Sequence, residues 1–262
     1  MQSIRTSLSS GARTFLADTD EWGLTYSSGL AITLFPLIVV GAVAVIAALS
    51  FVMKAPFRDV FRLVTAEDSL LEWPQFLSIF SASVIFGWLS IQFVRQGRQG
   101  VGLVYLLLAL GTFFVAGEEI SWGQRIFGWS TPDTLDAINH QGETNVHNIR
   151  WVQTALGYVL LLGAAYGTIA PIAGTRLWGR PARPALSFLF IPPLCAVAAF
   201  LMPFGYRLFR VLIWPGTDFM VVKFGEAPEL CLYFGLLVFA WANLRRLRVT
   251  RQETVASAVR MS

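Results

Sequence analysis

Residues 101–125 have the sequence VGLVYLLLALGTFFVAGEEISWGQR. From Val101 to Ala116 this stretch is almost unbroken apolar sequence, and two adjacent carboxylates follow at Glu118 and Glu119. A charged side chain deep in a membrane helix costs about 2.5–3.5 kcal/mol on insertion scales. We therefore expect Glu118 and Glu119 to lie near a bilayer boundary, with other polar groups of the chain gathered around them.

The composition is that of a membrane protein. Of the 262 residues, 55% are hydrophobic and only 14% are charged, whereas soluble domains are about 25% charged. Cys195 and Cys231 both lie in apolar runs, so we interpret them as small buried residues and not as a disulfide or a metal site. The net charge of +4 comes from arginines in loops and tail, which indicates topology and no nucleic-acid partner; membrane lipids are the expected surroundings.

Six apolar stretches are long enough to span a bilayer at roughly 20 residues each. They lie near 30–52, 69–94, 101–127, 149–173, 185–204 and 227–244. We predict an all-α, polytopic helix bundle in three parts: a cytoplasmic segment (1–28), a six-span membrane domain (29–244) and a basic cytoplasmic tail (245–262) that ends in disorder. The third stretch is expected to continue as a polar helix to Phe127, and the fifth to kink at Pro192-Pro193. Gly163 and Gly167 form a G-x-x-x-G pattern, which indicates close helix packing.

The basic residues predict the orientation. Six spans place both termini on one side, together with the second and fourth loops. Twelve of the 20 Lys and Arg residues fall on that side: Arg5, Arg13, Arg95, Arg98, Arg176, Arg180, Arg183, Arg245, Arg246, Arg248, Arg251 and Arg260. By the positive-inside rule, this side is the cytoplasm.

Twelve of the 16 acidic residues fall on the opposite side, where the motif-like stretches also lie. Glu72 opens the second span, Glu118 and Glu119 follow the apolar part of the third, and Glu226 opens the sixth. If the helix continues to Phe127, Glu118 shares a face with Ser121, Trp122 and Arg125, and Arg125 would neutralise a carboxylate. We expect Glu118 to point into a shared polar cluster, and Glu119 to reach it from the side or to meet the loop 139–148.

A second polar stretch precedes the fourth span. Residues 139–148 have the sequence NHQGETNVHN. In an extended chain the alternating polar residues, including Glu143 and His147, would point to one side. A hydrogen-bonded loop over the site is the alternative interpretation. His147 is expected to be neutral and to lie within reach of Glu118, Glu119 or Glu143.

The candidate catalytic residues are therefore Glu118, Glu119 and His147. The chain has no P-loop, serine nucleophile elbow, C-x-x-C or H-E-x-x-H motif, and only two histidines, so a metal site would be mostly oxygen-ligated. Such a site suits Mg, Ca, Mn or Fe. For one divalent metal ion the candidate ligands are Glu118, Glu119, Glu143, His147 and Glu226.

At Gly117–Arg125 and Asn139–Asn148 the chain resembles a group of bacterial multi-pass membrane proteins that carry GEEISWGQR followed by N-x-Q-x-E-x-N-x-H-N. The resemblance covers roughly residues 66–148, with a weaker echo at Glu226–Glu229. It implies a polytopic protein of the bacterial inner (plasma) membrane and no particular activity. A fainter resemblance is to membrane hydrolases of the alkaline ceramidase type, which hold an intramembrane metal. Their H-x-x-x-H helix is absent here, because the sixth stretch contains no histidine.

These observations leave three functions open. The first is a metal-assisted hydrolase or transferase that acts on a lipid or a lipid-linked substrate at the outer leaflet. The second is a non-catalytic subunit or assembly factor of a membrane complex, with a membrane-protein partner. The third is a cation or proton carrier that uses Glu118 and Glu119, although transporters usually place ionisable groups nearer the membrane midplane.

Overall fold

A computed structural model describes residues 10–66, 69–133, 144–145, 149–177 and 186–261. Its α-helices are α1 (Ser10–Glu21), α2 (Tyr26–Met53), α3 (Phe57–Thr65), α4 (Glu72–Arg95), α5 (Gln99–Glu119), α6 (Gln124–Phe127), α7 (Arg150–Leu177), α8 (Val197–Leu212), α9 (Phe219–Phe224) and α10 (Glu226–Met261). Short 3-10 turns occupy Ser121–Gly123, Ser187–Leu189 and Leu194–Ala196.

The predicted six-span, all-α architecture is confirmed. Six helical segments are long and apolar enough to cross a membrane: Tyr26–Met53, Glu72–Arg95, Gln99–Glu119, Trp151–Thr175, Ser187–Leu212 and Phe219–Arg248. The described residues contain no β-strand. The chain is a multi-pass membrane protein by the length and composition of these helices.

The second and third spans form the central hairpin of the bundle. α4 ends at Arg95, with Gln96 as its C-cap, Gly97 takes a left-handed φ of +75°, and the Arg98 amide donates to the Phe93 carbonyl at 2.9 Å. This is the Schellman pattern, in which glycine turns the chain out of a helix. The helices then pack closely: the Ser90 hydroxyl donates to the Gly102 carbonyl at 2.7 Å. Because the hairpin is antiparallel, the start of α4 and the end of α5 lie at one end of the bundle.

That end carries the acidic residues, and we call it the polar end. It is defined by Glu72 at the start of α4, Glu119 at the end of α5 and Glu226 at the start of α10. The Gln75 side chain donates to the Glu226 carbonyl at 2.8 Å, which fixes the start of α10 beside the first turn of α4. The carboxylates of the second, third and sixth spans are thus brought to one end, as the span count predicts.

A short amphipathic helix at the polar end was not foreseen. α3 packs along α2, with Phe61 fully buried against Val43 and Ala227, while Arg58 and Arg62 are exposed. With only nine residues it is too short to span a membrane, so the hydropathy of the sequence does not indicate it. The second span consequently begins at Glu72, three residues later than predicted.

The opposite end, which we call the basic end, is closed by α1. The break after Pro192-Pro193 leaves the Leu194 amide without a partner in its own helix, and the Asp18 carboxylate accepts from it at 2.7 Å. Arg246 donates to the Glu21 carbonyl at 2.9 Å and lies over the Phe188 ring. α10 continues past Arg246 to Met261.

Candidate functional site

The third span ends in a left-handed turn. α5 stops at Glu119, and Ser121, Trp122 and Gly123 then take φ values of +47°, +54° and +84°. Such a conformation costs a residue other than glycine on the order of 1–3 kcal/mol. The predicted helix from Val101 to Phe127 is therefore wrong in its last part, and Ser121 and Trp122 do not lie on the face of Glu118 by helical spacing.

Trp122 folds back over the end of α5. Its indole Nε1 donates to Glu118 Oε1 at 2.6 Å. The indole ring covers Gly117, where an added Cβ would lie 2.8 Å from ring carbons. It also packs edge-on against Phe113 and Phe114, at centroid distances of 6.3 and 5.7 Å. The close approach of the ring therefore requires glycine at position 117. Glu118, which accepts from the indole, is buried, with 4% of its surface exposed.

The same turn contacts the second polar stretch. The Asn145 side chain donates to the Ser121 hydroxyl at 3.1 Å, and both residues are almost fully buried. The Gln124 side chain donates to the Thr131 hydroxyl at 2.9 Å and accepts from the Thr144 amide. Two stretches that the sequence analysis singled out thus meet at the polar end, and their polar side chains hydrogen-bond to each other.

Glu119 contacts the sixth span. The hydroxyl of Tyr233, which is 3% exposed, donates to Glu119 Oε1 at 2.7 Å. Glu119 itself is half-buried. Glu119 is thus the carboxylate that Tyr233 contacts, while Glu118 accepts from Trp122. The prediction that Glu118 points into the polar cluster also involves residues 139–148, most of which lie outside the described residues, so it stays a prediction. Trp122 is one of the residues that the helical spacing places beside Glu118, but it reaches the carboxylate through a left-handed turn and not through a continued helix.

Glu226 and Glu229 extend the cluster along the first two turns of α10. Glu226 pairs with Lys223 at 3.6 Å and accepts from the Gln75 side chain at 3.2 Å. Glu229 forms an ion pair with Arg207 of α8. Both carboxylates share a face of α10 with Tyr233, whose hydroxyl donates to Glu119.

Gln75 has an unusual environment. Its side chain is fully buried, and no group among the described residues donates to its Oε1. Because the Nε2 of the same amide is held by the Glu226 main-chain carbonyl, which can only accept, the two ends of the amide cannot be exchanged. The polar end thus contains a buried acceptor next to the carboxylate of Glu226.

Three of the predicted site residues, Glu118, Glu119 and Glu226, lie at the polar end. Glu143 and His147 lie outside the described residues, as does the side chain of Arg125. Within the described ranges no three His, Cys, Asp or Glu side chains come together in a way that could hold a metal ion. A metal site therefore stays a prediction that depends on Glu143 and His147.

Several polar residues of the cluster were missed by the sequence reasoning. Tyr233 follows Glu226 by seven positions and Glu229 by four, so the three share one face of α10. Gln75 follows Glu72 by three positions on α4, at the same helical spacing. These helical spacings could have identified Tyr233 and Gln75 from the sequence. Arg207 has no comparable pattern around it in the sequence.

No model of a known protein family, no curated protein and no solved structure matches this chain. The chemistry of the polar end is therefore inferred from its own residues and their geometry.

Proposed function

We propose that this chain is a membrane enzyme that acts on a lipid or a lipid-linked substrate, as a hydrolase or a transferase, at the polar end of the bundle. The observation that carries the proposal is the hydrogen bond from Tyr233 to Glu119, which joins the sixth span to the third inside the protein. Glu226 and Glu229 lie within electrostatic range of the same tyrosine. Ionisable groups in membrane spans are expensive to insert and are therefore candidates for function.

Glu119 is the candidate general base. Its carboxylate is half-buried and is oriented by the buried Tyr233 hydroxyl. A base must reach the proton that it removes, which a fully buried carboxylate cannot do. Glu118, which the indole of Trp122 holds in a buried position, is the candidate supporting carboxylate, and His147 the second acid–base group.

One divalent metal ion is the cofactor that this function would use. The candidate ligands are Glu118, Glu119, Glu143, His147 and Glu226, and such an ion would supply an activated water or polarise a phosphoryl or acyl oxygen. The described carboxylates alone form no metal-binding group. Metal binding is thus the part of the proposal that depends most on Glu143 and His147.

The proposed location is the bacterial inner membrane, with both termini in the cytoplasm and the polar end on the extracytoplasmic side. Twelve of the 20 basic residues fall on the side of the termini, which supports this orientation through the positive-inside rule. A substrate would then reach the site from the outer leaflet.

A second candidate is a non-catalytic subunit or assembly factor of a membrane complex. It is favoured by the contacts within the motif, where Trp122 bonds to Glu118, Ser121 to Asn145, and Gln124 to Thr131 and Thr144. These hydrogen bonds hold the end of α5 against the following loop, and a purely structural motif would be built in the same way.

Lipid analysis of cells separates the two candidates. Membranes of a bacterial strain that lacks the gene would be compared by mass spectrometry after complementation with the wild type, Glu119→Gln or Tyr233→Phe. Glu21→Gln, an exposed residue at the basic end, is the matched control. We expect Glu119→Gln to fold but not to complement, so that the membranes keep the lipid composition of the deletion strain. The reason is that Gln keeps the shape of Glu but cannot act as a base. Full complementation by Glu119→Gln would contradict the enzyme and favour the structural candidate.

Bound metal is measured separately on the purified protein. Elemental analysis by mass spectrometry should find one divalent ion per chain in the wild type and in Glu21→Gln, and much less in Glu118→Gln, if Glu118 is a ligand. An unchanged metal content in Glu118→Gln would contradict the role of Glu118 as a ligand. The absence of metal from the wild type would contradict the metal cofactor.

A further inference from the structure

An apolar groove of about 550 Å³ lies between α2, α8 and α9. This volume is within the range of about 300–1,000 Å³ that is typical of small-molecule sites. Among the described residues that line it, Tyr206 alone carries a polar group, and its hydroxyl already donates to the Val221 carbonyl at 3.0 Å. The part of an occupant that enters the groove must therefore be hydrocarbon.

The groove has the depth of one membrane leaflet. On α2 its lining extends from Val40 to Phe51, which is a rise of about 16 Å at 1.5 Å per residue. The hydrocarbon core of a bilayer is about 30 Å thick, so one leaflet contributes about half of that. Since α2 runs towards the polar end, these residues lie in the leaflet on the side of the polar end.

Both walls of the groove end at a basic residue. On α8, Met202 and Tyr206 line the groove, and Arg210 continues their row at the same spacing of four. On α2, Lys54 follows Phe51 by three positions. Arg210 donates to the Gly216 carbonyl at 2.7 Å, the one hydrogen bond it makes to described residues, and a guanidinium has five N–H donors. Arginine is well suited to bind phosphate.

We propose that the groove binds an acyl chain of a membrane phospholipid, whose phosphate lies at Arg210. An apolar cleft of leaflet depth that ends in cations matches the order of groups in such a lipid. Arg207, which follows Tyr206 on α8, pairs with Glu229, and Glu229 shares a face of α10 with Tyr233, so the lipid head group would lie near the proposed catalytic residues. That this lipid is the substrate rests on the proposed function; its binding does not.

The test uses phosphatidylglycerol that carries a photoactivatable diazirine on one acyl chain, incorporated into vesicles with the purified protein. After illumination, mass spectrometry of peptides should find the label in residues 201–209 and 220–228. Gly205→Phe should reduce this label to background, because a side chain at Gly205 meets open space and would enter the groove. Gly111→Phe on α5, where a side chain also meets open space, should leave the label unchanged. Label that is absent from the groove peptides in the wild type, or that persists in Gly205→Phe, would overturn the proposal.

The phosphate contact is tested with diacylglycerol that carries the same photoactivatable chain but lacks the phosphate. We expect the wild type to be labelled more strongly by phosphatidylglycerol than by diacylglycerol, and Arg210→Gln to lose the difference. An unchanged preference in Arg210→Gln would overturn the placement of the phosphate. A labelled groove in a protein that leaves every lipid unconverted would contradict the proposed function and leave the binding site standing.

Discussion

Trp122 links three features of the polar end. Its backbone is left-handed, its indole donates to Glu118, and its ring covers Gly117. The strain of a left-handed tryptophan, on the order of 1–3 kcal/mol, persists only where surrounding contacts favour it. The ring contacts with Phe113 and Phe114 and the hydrogen bond to the buried carboxylate are the contacts that oppose this strain.

Replacement of Gly117 by alanine should destabilise the protein. A Cβ at this position would lie 2.8 Å from the Trp122 ring, and overpacking of this kind typically costs about 1–3 kcal/mol. Gly111→Ala, on the same helix with nothing within 4 Å of the new Cβ, should be neutral or stabilising by at most about 1 kcal/mol. Thermal unfolding in detergent measures both. Equal stability of the two variants would contradict the packing of Trp122 on Gly117.

Glutamine and leucine at position 118 should differ in stability. Gln keeps an acceptor for the Trp122 indole, whereas Leu removes the partner of that half-buried N–H, at a cost of about 0.5–1.5 kcal/mol for one hydrogen bond. We therefore expect Glu118→Gln to unfold close to the wild type and Glu118→Leu at a lower temperature. If Glu118→Gln is as unstable as Glu118→Leu, the negative charge of Glu118 is what stabilises the fold, and the acceptor is not.

At the scale of elements, helix ends and helix contacts decide the arrangement of the site. α5 stops at Glu119, the break after Pro192-Pro193 divides the fifth span, and α9 is separated from α10 by Gly225. At Gly225 an added Cβ would lie 2.7 Å from the Tyr206 hydroxyl, so the absence of a side chain lets α8 approach the start of α10. This approach allows Arg207 to reach Glu229.

The two glycines of the G-x-x-x-G pattern should respond differently to substitution. A Cβ at Gly167 would lie 2.3 Å from the buried Phe200 ring of α8, whereas at Gly163 it would meet nothing within 4 Å. The pattern predicts close packing at both positions, and the structure shows it at Gly167. We expect Gly167→Ala to lower the free energy of unfolding by about 1–3 kcal/mol and Gly163→Ala to leave it unchanged, as measured by thermal unfolding. A similar loss in both variants would contradict this arrangement of α7 and α8.

At the scale of the whole molecule, the two ends of the bundle differ in chemistry. The polar end gathers carboxylates from three spans, and those of the sixth span, Glu229 and Glu226, form ion pairs with Arg207 and Lys223. The basic end is closed by α1 through Asp18 and by Arg246 at the far side of the sixth span. The apolar groove between α2, α8 and α9 runs towards the polar end. The proposed chemistry, substrate and orientation all follow from this asymmetry.

Cysteine labelling should report the two ends on opposite faces of the membrane. Gln96, in the turn after α4, and Gly216, in the loop before α9, are both exposed and lie at opposite ends of the bundle. The native Cys195 and Cys231 are buried, so they should not react. In intact cells an impermeant maleimide should label Gly216→Cys at once and Gln96→Cys only after permeabilisation. Labelling of both from outside would contradict the topology, and the reverse pattern would contradict the cytoplasmic termini.

The sequence by itself determined the number of spans, the helical class and the end at which the acidic residues lie. The number of spans and the helical class depend on hydropathy averaged over roughly 20 neighbouring residues, which is a local property of the sequence. The end at which the acidic residues lie depends only on whether an even or an odd number of spans precedes them. The same averaging concealed α3, whose nine residues are too short to form a span.

Only the tertiary structure decided which carboxylate meets which partner. Tyr233 is 114 positions from Glu119, and Gln75 is 151 from Glu226, so these contacts depend on how each helix is rotated against the others. The end of α5 at Glu119 was decided in the same way, because the fold-back of Trp122 onto Gly117 and Glu118 favours a left-handed turn over continued helix. Side-chain packing between distant residues sets how each helix is rotated and where it ends. The periodicity of a single segment contains no information about that packing.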